Sequence, residues 1–151
     1  MSYKPAVRSL LQRVATGPVM GRQAENLQAL SAVRNLHVSE PLTEIFMINS
    51  EDDFKNKVMR NTLPVIVNFH AEWCEPCHSL KPLLEKIAQE NEGHLHLAEV
   101  AVDEHVDLLQ AFEVTAVPAV LGIHRGMVVE KFVGLVSHKE VKGFVEKLLN
   151  K

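Results

Sequence analysis

From residue 43 onward the chain alternates between two hydrophobic rhythms. Residues 43–48, TEIFMI, mix β-branched and aromatic side chains as a short strand does. Ser50 stands where a helix cap is needed, and Glu51, Asp52 and Asp53 fill the first turn, where the helix dipole favours acids. Phe54, Val58 and Met59 then recur at helical spacing and predict an inward face. Residues 65–69, VIVNF, form a nearly continuous apolar run, the pattern of a strand buried on both faces. Leu80, Leu83, Leu84 and Ile87 restore the helical period until Gly93 ends it, and Pro82 should kink that helix by removing a donor and crowding the preceding turn.

A strand over 94–102 and a short helix over 103–112 follow. Residues 117–121 open another strand, Arg125-Gly126 turns it, and residues 127–133 return antiparallel. Ser137 and Glu140 have the spacing of a capping box for a last helix, which would bury Val141, Phe144, Val145 and Leu148. The order β-α-β-α-β-α-β-β-α predicts an α/β fold, a central mixed sheet with helices on both faces and right-handed early crossovers.

Composition changes this picture at one end only. Residues 1–38 carry Lys4, Arg8, Arg13, Arg22 and Arg34 against a single acid, Glu25. Val7, Leu10, Leu11 and Val14 fall on one helical face, with Arg8 and Arg13 toward the other. A basic amphipathic segment poor in acids is the composition of a mitochondrial transit peptide, with no continuous apolar stretch to suggest a secretory signal. The expected organisation is a targeting segment at 1–38, a domain at 39–151, and a mitochondrial matrix address. A tethered arm with no address is the alternative. The net charge of −3 gives no general reason to expect nucleic-acid binding, and no apolar run approaches a membrane span.

The chain has two cysteines, Cys74 and Cys77, in the stretch WCEPCH. That count excludes a disulfide framework and a closed four-cysteine zinc site within one chain. The loop between them is too short for a disulfide there to remove much chain entropy, so the pair points to chemistry rather than stapling. C-x-x-C-H is also the spacing of c-type haem attachment, whereas C-x-x-C behind tryptophan in a βαβ setting is that of a dithiol redox centre. Haem needs a lined apolar pocket and usually a second axial ligand. Aromatics are 5% of the chain, and nothing selects Met127 or His124 for that task. A metal reading can name Cys74, Cys77, His78 and His70, but adjacent cysteine and histidine on one helical turn point apart. His94 and His96 read as partly exposed strand residues. No metal and no cofactor are expected.

The run from Val65 to Cys77, VIVNFHAEWCEPC, resembles the active-site strand and turn of the thioredoxin family. Val117-Pro118 resembles that family's cis-proline loop, and Gly134 after Phe132-Val133 matches a glycine before its last helix. The resemblance covers about residues 43–149. It implies the thioredoxin fold and a protein-disulfide reductase, a monomer that takes electrons from an NADPH-dependent flavoprotein, thioredoxin reductase, and passes them to disulfide-containing protein substrates. Cys74, at a helix N-terminus, would be held as the attacking thiolate, since unpaired N–H groups there favour negative charge. Cys77 would then resolve the mixed disulfide. Trp73 is read as a flat cover beside Cys74 rather than core filler. With Pro76, Val117 and Pro118 it is expected to form the substrate surface, the loop leaving backbone free to pair with an extended segment.

Three positions depart from the family pattern. Glu75 replaces a usual glycine and should make Cys74 less acidic. His78 replaces a usual lysine at a surface position. Asn68 stands where the family carries a buried aspartate that relays a proton, and Glu99 where that aspartate's lysine partner is usual. Asparagine cannot accept the proton. The expectation is a dithiol that cycles but resolves slowly, and faster insulin-disulfide reduction on Asn68→Asp. A redox-sensitive binding module with little turnover is the second functional reading, and an isomerase or oxidant the third.

Overall fold

A computed structural model describes residues 42–151. The basic segment read at 1–38 lies outside the described residues. Five strands and four helices alternate as β1 (Ile45–Met47), α1 (Glu51–Phe54), β2 (Val65–His70), α2 (Glu75–Glu90), β3 (His96–Ala101), α3 (Val106–Ala111), β4 (Ala119–His124), β5 (Met127–Val133) and α4 (His138–Leu149). The strands form one sheet in the order β1-β3-β2-β4-β5. β3 pairs parallel with β1 and β2, while β4 pairs antiparallel with β2 and β5.

β2 lies in the middle of the sheet because it has no polar edge to spare. Val65, Val67 and Phe69 join one core cluster with Phe54 and Val58 before α2 and Leu108 of α3. Ile66, on the other face, joins Leu80, Leu84 and Ile87 of α2 and the α4 quartet Val141, Phe144, Val145 and Leu148. Helices thus cover both faces of the sheet, which is why the strand reads as an apolar run rather than an alternation. Asn68 sits in this run on the α2–α4 side.

Local chemistry accounts for the helix ends. Ser50 Oγ accepts the Asp53 N–H at 3.1 Å. α1 then widens into a π-type turn over Lys55–Met59 that keeps Val58 buried. In α4, Ser137 Oγ accepts the Glu140 N–H at 3.3 Å while Glu140 Oε2 accepts the Ser137 N–H at 2.8 Å, so two orphan donors are satisfied reciprocally. The hairpin turns on Arg125 and Gly126, with φ of 52° and 75°. Two positive φ values give the twist that a two-residue β-hairpin needs. Gly122 in β4 meets α4 closely: a Cβ there would lie 3.1 Å from Leu148 Cδ1 and Phe144 Cζ.

Several boundaries move inward from those the pattern predicts. β1 holds only residues 45–47, and β3 begins at His96, since residues 91–94 form turns. His94 is exposed, but His96 is buried, and its Nδ1 accepts the Glu44 N–H at 2.9 Å. The pair therefore does not share a half-exposed strand face. α3 starts at Val106 because residues 101–104 turn first, and the following His105 ring bonds Ile48 O at 2.8 Å. β4 starts after Pro118, which has no N–H for a sheet ladder. α2 runs without interruption through Pro82.

Candidate active site

The end of β2 delivers the chain into the turn Ala71–Cys74, closed by the Cys74 N–H to Ala71 O at 3.2 Å. Cys74 is the N-cap of α2, and its Sγ accepts the Cys77 backbone N–H at 3.2 Å. Glu75 and Pro76 occupy the first turn, where proline's missing N–H costs nothing. Cys74 and Cys77 are joined by a disulfide, with Cα atoms 5.3 Å apart. Both residues are buried, at 4% and 3% exposure. One sulfur therefore sits against the open N–H end of a sixteen-residue helix, and the other one turn inside it.

Trp73 is 71% exposed, which rules out a core role. Its ring lines a groove of about 190 Å³ with Val102, Leu109, Val114 and Val117, and its Nε1 donates to Asp103 Oδ1 at 3.5 Å. The Val117–Pro118 bond is cis. Pro118 O accepts the Gly134 N–H at 2.7 Å, and Gly134 adopts φ of 90°, a conformation open to glycine. Among the described residues no backbone hydrogen bond uses Val117, which leaves its N–H and C=O free beside the groove. Val117 packs on the core cluster that holds Cys74, Cys77 and Ala119.

Behind the cysteines lies a polar cluster inside the sheet. Asn68 and Glu99 face each other in the β2–β3 register, and Asn68 Nδ2 donates to Glu99 Oε2 at 3.3 Å. His70 Nε2 approaches the same oxygen at 3.3 Å without hydrogen-bond geometry, and Lys81 Nζ reaches to 3.8 Å from it. Burial pushes the Glu99 carboxyl up from its ordinary range, with Glu85 adding to the rise and Lys81 and the Asn68 amide opposing it. Burial pushes the His70 imidazole down, and Lys81 adds to that.

Asn68 and Glu99 are thus the contacting pair the sequence suggests, and His70 and Lys81, for which the sequence suggests no tuning role, complete the group. Spacing held the clue: His70 is two residues along β2 from Asn68, on the same face, and Lys81 is one helical turn beyond Cys77. His78, by contrast, is exposed, with its Nε2 2.8 Å from Glu72 O. The contact between residues 68 and 99 also alters the expectation for Asn68→Asp. A second buried carboxyl would stand against Glu99, and two carboxyls so placed resist ionising together. A faster rate from that change therefore needs Glu99 replaced as well.

Glu99 carries a definite pH signature. Below the ordinary carboxyl range, folded and unfolded chains both hold its proton and the residue adds no pH-dependent cost. As pH rises, the unfolded chain releases that proton first, so stability is lost until the folded carboxyl ionises too. Glu99→Gln should remove this loss, leaving a fold more stable near neutral pH and unchanged in strong acid. Urea denaturation of both chains across acid to neutral pH checks the sign.

A dithiol pair capping a helix, beside a cis-proline loop on a five-stranded mixed sheet, defines a thiol-disulfide oxidoreductase. The thioredoxin family model matches residues 45–147, and the chain belongs to the thioredoxin family. It is 40% identical over 119 residues to the mitochondrial thioredoxin of Rattus norvegicus, spanning 79% of this chain and 72% of that protein. It is 37% identical over 105 residues to a probable thioredoxin-2 of Caenorhabditis elegans, covering 70% and 72% of the two chains. Among solved structures, the thioredoxin of Malassezia sympodialis superposes with a TM-score of 0.62 at 26% identity, covering 72% of this chain and 94% of that one. A mutant thioredoxin from Halobacterium salinarum gives 0.64 at 28%, over 70% and 91%. Family membership makes this chain a redox enzyme whose partner classes are disulfide-containing proteins and a thioredoxin reductase.

Proposed function

We propose that the chain reduces protein disulfides by attack from Cys74 and resolution by Cys77. The observation that carries this reading is the Cys77 N–H directed at Cys74 Sγ from 3.2 Å at the start of α2. Negative charge on that sulfur is stabilised by the helix end, and the thiolate is the form that attacks. A Cys74–substrate disulfide forms first and one substrate thiolate leaves. Cys77 Sγ then attacks Cys74 Sγ, the second substrate thiolate departs, and the internal disulfide is left. Two electrons have passed from the dithiol to the substrate. The substrate surface is built from Trp73, Pro76, Val117 and Pro118. An extended substrate segment pairs with the free backbone of Val117 while its side chains enter the groove beside Trp73.

The electron donor is an NADPH-dependent flavoprotein, the working unit a monomer, and the address the mitochondrial matrix, with residues 1–38 acting as a transit peptide ahead of a domain at 39–151. The basic amphipathic composition of that segment and the mitochondrial names of the rat relative and others support this reading. Glu75 and His78 tune the charge around Cys74. A coupled assay with NADPH, a thioredoxin reductase and insulin tests the activity, with Cys74→Ser as control. Many turnovers per chain, lost in the control, are expected. Redox-dependent affinity for a partner without turnover would replace this function by a binding role.

A further inference from the structure

The resolving step leaves a proton to be placed. Cys77 is buried in the disulfide-bonded structure, and as a thiol it attacks only after losing its proton. A cleft of about 50 Å³ is lined by Cys77 together with the titratable residues His70, Glu72, His78 and Lys81; of these, His70 comes closest to a buried carboxyl. His70 Nε2 stands 3.3 Å from Glu99 Oε2, the oxygen that Asn68 holds and Lys81 approaches.

This cluster is incompletely hydrogen-bonded. Asn68 Oδ1, His70 Nε2 and Glu99 Oε1 are all buried without a hydrogen-bond partner. An ionised carboxylate and an amide oxygen only accept, and an imidazole nitrogen without hydrogen does the same. Unpaired buried polar atoms are costly, and three of them in one place are unusual in a folded chain. An added proton on the imidazole or the carboxyl gives the cluster a further donor for the unpaired Asn68 and Glu99 oxygens.

We propose that the His70–Glu99 pair takes up the proton Cys77 loses in the resolving step, with His70 as the acceptor in the cleft and Glu99 as the residue that positions it and shares the charge. This rests on the attack order proposed above. The proton leaves Cys77 Sγ for the His70 imidazole, whose positive charge is then offset by the Glu99 carboxylate 3.3 Å from its Nε2. The Cys77 thiolate forms its bond to Cys74 Sγ, the Cys74–substrate S–S bond breaks, and its electron pair leaves on the substrate sulfur. The proton returns to Cys77 when the reductase reopens the disulfide. Asn68 cannot titrate, so it holds Glu99 without competing for the proton. Lys81 and Glu85 of α2, Glu72 in the turn before it, and His78 are the other charged or titratable groups that act on the pair.

The test mixes the reduced full-length chain with dithiobis-nitrobenzoate, which releases one coloured thiolate when Cys74 attacks and a second when Cys77 resolves. Both phases are followed by stopped flow from mildly acid to alkaline pH, for the unsubstituted chain and for Glu99→Gln, His70→Gln and Glu99→Asp. At neutral pH the Gln variants should slow the second phase by roughly 10²-fold, the low end of general-base effects, and leave the first within about twofold. Toward strongly alkaline pH the deficit should shrink, because hydroxide then ionises the buried Cys77 directly. Glu99→Asp should recover part of the neutral rate. Circular dichroism melts confirm that each variant is folded, and either Gln variant suffices if the other is not.

A second phase at the unsubstituted rate in a folded Gln variant overturns the proposal. So does a deficit of equal size at every pH, which a merely structural role would produce. Absence of the first phase in the unsubstituted chain instead removes Cys74 as attacking group, and the inference falls with it.

Discussion

Cys77→Ser is expected to stop catalytic turnover while leaving the chain bonded to its substrates. The serine keeps nearly the volume of the thiol one turn inside α2, so the helix and its cap should form as before. Cys74 keeps the N-cap position and the N–H directed at it, and can still open a substrate disulfide. What disappears is the second nucleophile. A serine hydroxyl is far too weakly acidic to attack sulfur, so the mixed disulfide waits for an external thiol. Coupled NADPH oxidation should fall to the uncatalysed background, a loss of several orders of magnitude, because the two sulfurs act as one unit. Gel electrophoresis without reductant should show a covalent adduct that Cys74→Ser lacks. Turnover near the original rate, or no adduct, would contradict the assignment of attack and resolution to these two sulfurs.

Phe69→Ala should have the largest effect on stability. Phe69 lies on the central strand with no solvent exposure. Its ring sits 6.4 Å from that of Phe112, which in turn packs 5.2 Å from Phe54. Removing it empties the middle of the core that also backs Cys74 and Cys77. Phenylalanine-to-alanine changes at such sites cost about 3–5 kcal/mol. At about 4 °C per kcal/mol for a domain near this size, the melting temperature should fall by roughly 12–20 °C. Differential scanning calorimetry measures this directly, and a drop of only a few degrees would mean that the neighbouring rings collapse into the space. Catalysis should suffer with it, since α2 starts immediately beyond this strand.

Much of this arrangement is legible in the residue pattern because one physical demand dominates each element. β2 must be apolar on both faces, α4 needs its cap and its buried stripe, and the hairpin needs two positive φ values; each leaves a short, local signature. Element ends were less legible. His105 and His96 take tertiary hydrogen-bond partners that decide where α3 and β3 begin, and those partners, Ile48 and Glu44, lie more than fifty positions away in the chain. The cysteines announced themselves by spacing alone. The buried polar cluster was legible only by half: Asn68 and Glu99 stand out against the family pattern, whereas His70 and Lys81 carry no motif and acquire meaning only when β3 places Glu99 beside them.

The chain contains a single tryptophan, and that indole borders the disulfide-bonded sulfur of Cys74 in sequence while standing largely in water. Its light emission therefore reports from one known spot. A neighbouring disulfide quenches an excited indole more strongly than two thiols do, so opening the bridge should brighten the protein without any added dye. The molecule should thus serve as its own optical gauge of oxidation, its redox midpoint readable in a cuvette from intrinsic fluorescence alone.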